Sequence, residues 1–171
     1  GDAMEEATLV DGLDDLWRRE IVHEEKPATY DFSHGLLRKA AIAELSTASR
    51  RLFHEYVAEA LETIHAANLD PICAQIAVHY DRAGRIEASI AYYRRATAAA
   101  EAIYAHDSAI RYLKRALNLQ EMVPTVDSPS RQALQVALLE RLGDILDFVG
   151  RHEEARTAFR QAVTQVTEYE A

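Results

Sequence analysis

The sequence predicts a mostly α-helical chain in which a helical-repeat array follows a short β-hairpin, and three observations carry that prediction. Beyond residue 33 alanine and leucine are abundant. The whole chain of 171 residues holds only six glycines and four prolines, so little in it breaks a helix. A set of small and large apolar residues recurs at a fixed distance in the second half. Near the N-terminus a polar turn separates two short extended runs.

Residues 5–19 read as one amphipathic helix carrying Leu9, Leu13, Leu16 and Trp17. Ile21 to Glu24 and Thr29 to Phe32 then flank Glu25, Lys26, Pro27 and Ala28, a polar turn between two strands. Helix followed by hairpin is the last part of a winged helix. Ser33 is placed to cap a helix with Leu36, Leu37, Ala40, Ala41 and Leu45. Ser46 or Thr47 caps the next, whose stripe of Leu52, Phe53, Tyr56, Val57, Ala60, Leu61 and Ile64 has the spacing of one buried helical face. Residues 1–45 are therefore expected to be the C-terminal part of a winged-helix domain, 46–68 a connecting helix, and 69–171 the repeats.

In that last region Leu139, Leu142, Gly143, Leu146, Gly150, Ala155, Phe159 and Ala162 alternate large and small. Small residues let two antiparallel helices approach, large ones fill the space beside them, and glycine permits the turn. The pattern resembles the tetratricopeptide repeat. Cys73, Ile76, Ala77, Tyr80, Gly84, Ser89, Tyr93 and Ala96 repeat it in the same register, 66 residues upstream. Between them Ala109, Leu113 and Ala116 match a second helix, but follow Ser89, Tyr93 and Ala96 by only 20 residues. The middle repeat is degenerate, and the helix from about Ile86 to Tyr104 is expected to end one repeat and start the next. Pro124, Asp127, Ser128 and Pro129 collect in a loop.

A second resemblance is carried by Tyr30-Asp31-Phe32-Ser33-His34-Gly35-Leu36-Leu37-Arg38-Lys39-Ala40, by Arg50-Arg51-Leu52-Phe53-His54 and by Val57-Ala58-Glu59-Ala60-Leu61-Glu62. These runs resemble the junction segment of STAND-type signalling ATPases, among them large ATP-binding LuxR-like regulators and cyclase-associated ATPases. Phe53 stretches the second run by one residue, and Gly35 stands where that family's Met-His-Asp motif has aspartate. The resemblance covers residues 9 to 120. It implies that His34 senses nucleotide in the resting state, its imidazole N–H donating to a β-phosphate oxygen. That role needs an ATPase domain absent from this chain. No Gly-x-x-x-x-Gly-Lys-Ser/Thr loop is present, so no cofactor is expected here and ATP or ADP is expected in the parent protein's missing domain. The chain then reads as an excised part of a larger regulator.

Charge narrows the partners. The net charge is −9, and within residues 1–32 ten carboxylates stand against Arg18, Arg19 and Lys26. Asp11, Asp14 and Asp15 would lie on the recognition helix, so direct nucleic-acid binding is disfavoured. No apolar run is long enough for a membrane span, and one cysteine, Cys73, suits a reducing, cytoplasmic setting. Catalytic and metal motifs are missing too. His54-Glu55 has Ala58 where a zinc protease needs its second histidine, and no serine sits in Gly-x-Ser-x-Gly. The chain is expected to be neither an enzyme nor a metal protein.

Repeat arrays present a groove, and the register assigns its lining. Ala74, Val78, Asp81 and Arg82 line it on the early helix, and Ala137, Glu140, Asp144, Asp147 and Phe148 on the late one. An acidic lining favours a basic or amphipathic protein or peptide segment, one candidate being a segment of the same parent chain. The expected function is an interaction and signal-transmission module of a STAND-type transcriptional or signalling regulator. A free-standing repeat scaffold for a peptide partner is the alternative, and a small-molecule inducer sensor a third. Oligomeric state is not legible.

Overall fold

A computed structural model describes residues 2–26, 29–122 and 129–169, with side chains over 7–26, 29–122 and 129–166. The chain divides into two compact units, Gly1–Arg50 and Arg51–Ala171. The described residues form eight α-helices and one two-stranded sheet. None of these helices is long and apolar enough to cross a membrane.

In the first unit, helix α1 (Asp2–Arg18) leads into strands β1 (Val22–Lys26) and β2 (Thr29–Phe32). They pair antiparallel, Val22 opposite Phe32 and Glu24 opposite Tyr30, with a shift between Glu24 and Lys26. The hairpin stands where the two extended runs placed it, but Glu25 and Lys26, expected in the turn, continue the first strand; Pro27 and Ala28 lie outside the described residues. Helix α2 (Gly35–Glu44) follows, and here the expected cap is corrected. The backbone N–H of Ser33 donates to the Ile21 carbonyl and extends the hairpin, so the helix starts one residue later. His34 becomes the N-cap, in extended conformation and without a side-chain capping bond. Asp31, ion-paired to Arg38, ties β2 to α2. Val22 is the one buried apolar side chain among the described residues of this unit. Leu9, Val10, Trp17, Leu36 and Ile42 stay exposed.

Helix α3 (Thr47–Ile64) opens on a serine cap, as expected: the Ser49 N–H donates to Ser46 Oγ at 3.0 Å. Its predicted buried stripe is overturned. From residue 51 on, Leu52, Phe53, Tyr56, Val57 and Ile64 are exposed, and the packed face centres on fully buried Ala58. The physical reason is contact distance and polarity together. Ala58 lets Ile76 and Tyr80 of helix α4 (Cys73–Ala83) come close, while Glu55 meets Arg85 (Nε–Oε1 2.6 Å) and His54 meets His79 on the same side.

That histidine pair has a pH signature. The two Nδ1 atoms lie 3.1 Å apart, so one ring must be a neutral acceptor. Burial pushes both below the usual 6.5, with the Arg82 charge adding to it at His54 and the His54 and Arg82 charges at His79. Below pH 6.5 the unfolded chain therefore binds more protons than the folded one, and the stabilisation present above that pH is lost as pH falls. Thermal melts between pH 7.5 and 5 should fall more steeply for the native chain than for His54→Gln with His79→Gln. Parallel curves would remove the pair from the account.

A 3-10 turn (Asp70–Ile72) precedes α4, which is followed by α5 (Ile86–Ala102), α6 (His106–Met122), α7 (Pro129–Phe148) and α8 (His152–Tyr169). Each packs on the next, and α5 packs on both α4 and α6. Ser89 Oγ donates to the Ala77 carbonyl at 3.0 Å, and the Tyr93 and Tyr112 rings stack at 6.0 Å. Helix α5 thus has a packed neighbour on each side, α4 and α6. Ala109, Leu113 and Ala116 are buried in the core that also holds Ile90, Leu142 and Leu146. Of the expected loop, Pro124, Asp127 and Ser128 lie outside the described residues; Pro129 opens α7, where its missing N–H costs no bond.

Three turns in the array share one geometry. Gly84 (φ 80°) and Gly150 (φ 79°) close α4 and α7 in the left-handed region, each followed by a residue whose N–H reaches back five positions. Tyr104 (φ 59°) does the same after α5, with Ala105 N–H bonded to the Ala100 carbonyl at 2.8 Å.

Candidate functional site

The register's groove residues divide into two groups. On α7, Ala137, Glu140, Asp144, Asp147 and Phe148 are all exposed. Spacings of three and four residues put the three carboxylates along one side of the helix. Asp147 accepts from His152 Nδ1 at 2.7 Å, whereas Glu140 and Asp144 make no ion pair or side-chain hydrogen bond among the described residues.

On α4 the arrangement differs. Arg82 is exposed and Ala74 half-buried, but Val78 packs against the core. Asp81 is drawn into a brace: its side chain is only 15% exposed and takes both Arg115 Nε and Nη2, at 2.6 and 2.7 Å. The Tyr93 hydroxyl donates to the same carboxylate at 3.3 Å. Burial, with the Asp81 charge beside it, pushes that hydroxyl up to about 12, so it stays a donor. Asp81 therefore ties α4, α5 and α6 together. A helical spacing identifies a side chain's direction, not whether a cation from a third helix will claim it.

Asp144 and Phe148 line a cavity of 260 Å³ with Glu101, Tyr104, His106, Arg141 and Ile145. Two of the lining residues form an ion pair between α5 and α7, Arg141 Nη2 to Glu101 Oε1 at 2.7 Å. The rings of Tyr104, His106 and Phe148 form a row, with centroids 6.1 and 5.0 Å apart. Sequence reasoning missed Glu101, Tyr104, His106 and Arg141. A signal was available: the 20-residue shift that aligned Ala109 with Ser89 aligns position 104 with Gly84, and a tyrosine where the repeat wants glycine marks the place.

His34 lies in the other unit, exposed at the head of α2. It lines a cavity of 470 Å³ with Trp17, Arg18, Glu20, Val22, His23 and Ser33. Cys73 is buried; burial pushes its thiol up, and Sγ donates to the Asp70 carbonyl at 2.9 Å. Among the described residues no three His, Cys, Asp or Glu side chains gather as a metal site requires.

Neither a curated protein nor a solved structure matches the chain. The tetratricopeptide repeat family matches two segments, residues 70–103 and 136–165. The first covers α4 and α5 with the turn before them, and the second most of α7 and α8. Repeats of this kind generally act as scaffolds for protein or peptide partners rather than as enzymes. The α4–α5 and α7–α8 pairs are thus similar to tetratricopeptide repeats, a repeat type that in general presents a surface to protein or peptide partners.

Proposed function

We propose that this chain is the interaction and signal-transmission module of a STAND-type regulator, receiving a protein or peptide segment on the acidic side of α7. The observation that carries the binding reading is the row Glu140, Asp144, Asp147 and Phe148, exposed on the first helix of a matched repeat. Its field attracts a basic segment and speeds the encounter. The parentage rests on the run from Tyr30 to Ala40 and on the two runs that follow it. His34, with an exposed imidazole and no capping bond, is free to donate to a nucleotide phosphate supplied by the ATPase domain of the parent protein. A cytoplasmic setting follows from that parentage. A free-standing scaffold accounts for the two matched segments equally well. An upstream phosphate-binding loop in the full-length gene selects the first reading, and its absence the second.

The binding reading is tested by reversing Glu140, Asp144 and Asp147 to lysine and measuring association with the parent ATPase fragment, or with a partner recovered by pull-down. The expected result is a loss of at least about tenfold, together with weaker native binding as salt rises. Full affinity in a variant with unchanged circular dichroism moves the partner off α7.

A further inference from the structure

The turn after α5 breaks the rule that the turns after α4 and α7 keep. Gly84 and Gly150 sit in the left-handed region with positive φ, where glycine is unstrained. Tyr104 holds the same conformation with a bulky side chain that disfavours it. The core gains nothing in exchange, because the tyrosine is 80% exposed. Phe148, at the other end of the ring row, is 74% exposed. Two large, exposed aromatic rings thus stand next to His106 and line the cavity with it.

Charge selects the occupant. Of the three charged groups in the cavity, Glu101 and Arg141 neutralise each other through two contacts, Nη2 to Oε1 at 2.7 Å and Nε to Oε2 at 3.2 Å. Asp144 remains, exposed and without an ion pair among the described residues. Glu140 and Asp147 extend the negative side along α7. A carboxylate ligand would have to take Arg141 from Glu101 and then face Asp144.

We propose that this cavity binds the arginine side chain of a basic peptide segment, with the guanidinium lying against the Tyr104 and Phe148 rings and paired to Asp144. Arginine suits it better than lysine because the planar guanidinium stacks on a ring and still offers two parallel donors to one carboxylate. This rests on the reading of α7 as the partner face and names the chemistry that the face reads.

The experiment uses the full chain and a fluorescein-labelled, capped peptide repeating Gly-Ser-Arg, with its lysine and glutamate counterparts, in a polarisation titration. The arginine peptide should bind best, the lysine peptide more weakly, and the glutamate peptide not at all. Asp144→Asn and Phe148→Ala should each weaken the arginine peptide by about fivefold. Tyr104→Gly should weaken it by about threefold while raising the melting temperature, a split that a merely structural tyrosine would not show. Three results overturn the proposal: no binding of the arginine peptide, equal binding of the glutamate peptide, or arginine binding indifferent to Asp144→Asn and Phe148→Ala. The two readings fail separately. If reversing the three α7 acids abolishes partner association while Tyr104→Gly and Phe148→Ala leave it intact, the cavity is wrong and the α7 face stands. If the cavity variants weaken the peptide while the reversal spares the partner, the α7 face falls as the partner's site.

Discussion

Truncating Leu113 to alanine should destabilise the folded chain by about 3 kcal/mol. Leu113 is 2% exposed, in the middle of α6, and shares one core with Ile90, Leu142 and Leu146. Its removal leaves a void that α5, α6 and α7 cannot jointly collapse, so both the lost transfer energy and the cavity are felt. The measurement is a denaturant melt, with a lower midpoint and an unchanged slope. The result carries architectural meaning, because α6 lies between the two segments that match the repeat family. A loss below about 1 kcal/mol would make α6 an appendage rather than a member of the core.

Gly143→Leu should cost a similar amount, about 3 kcal/mol, for the opposite reason. A Cβ placed on Gly143 would lie 2.5 Å from Cε1 and 2.6 Å from Cζ of Phe159 on α8. The glycine is therefore a socket for that ring, and leucine overfills it. Phe159 is partly exposed, so its own truncation should cost less than that of a fully buried ring. The pair predicts strong non-additivity: Phe159→Ala in the Gly143→Leu background should recover most of the lost stability. Additive effects in thermal and denaturant melts would show that ring and glycine do not meet in solution.

The register was legible because packing in this array repeats. Eight residues from Leu139 to Ala162 and eight from Cys73 to Ala96 share the same spacing, and all but Phe159 and the turn glycines Gly84 and Gly150 are buried. The hairpin and the Ser46 cap were legible because turn composition and capping chemistry are local. What failed depended on neighbours. Ser33 lost its capping role to a hairpin rung, and the apolar stripe of α3 lost its place to Ala58. Asp81 was claimed by an arginine on α6, 34 residues away. The cavity escaped notice because its residues come from α5, the turn after it, α6 and α7, and no local spacing brings those together.

Helix α5 packs on both α4 and α6, which sets what a break in this stretch would do. Arrays made of whole repeats lengthen or shorten when one unit is copied or lost, because every unit carries its own pair of helices. Here a cut after α5 takes from α6 one of its two neighbours, and a cut before α5 takes from α4 the helix that follows it. Ala77 of α4, Ile90 of α5 and Leu113 of α6 share one core, so either cut bares apolar surface that the helices left behind do not cover.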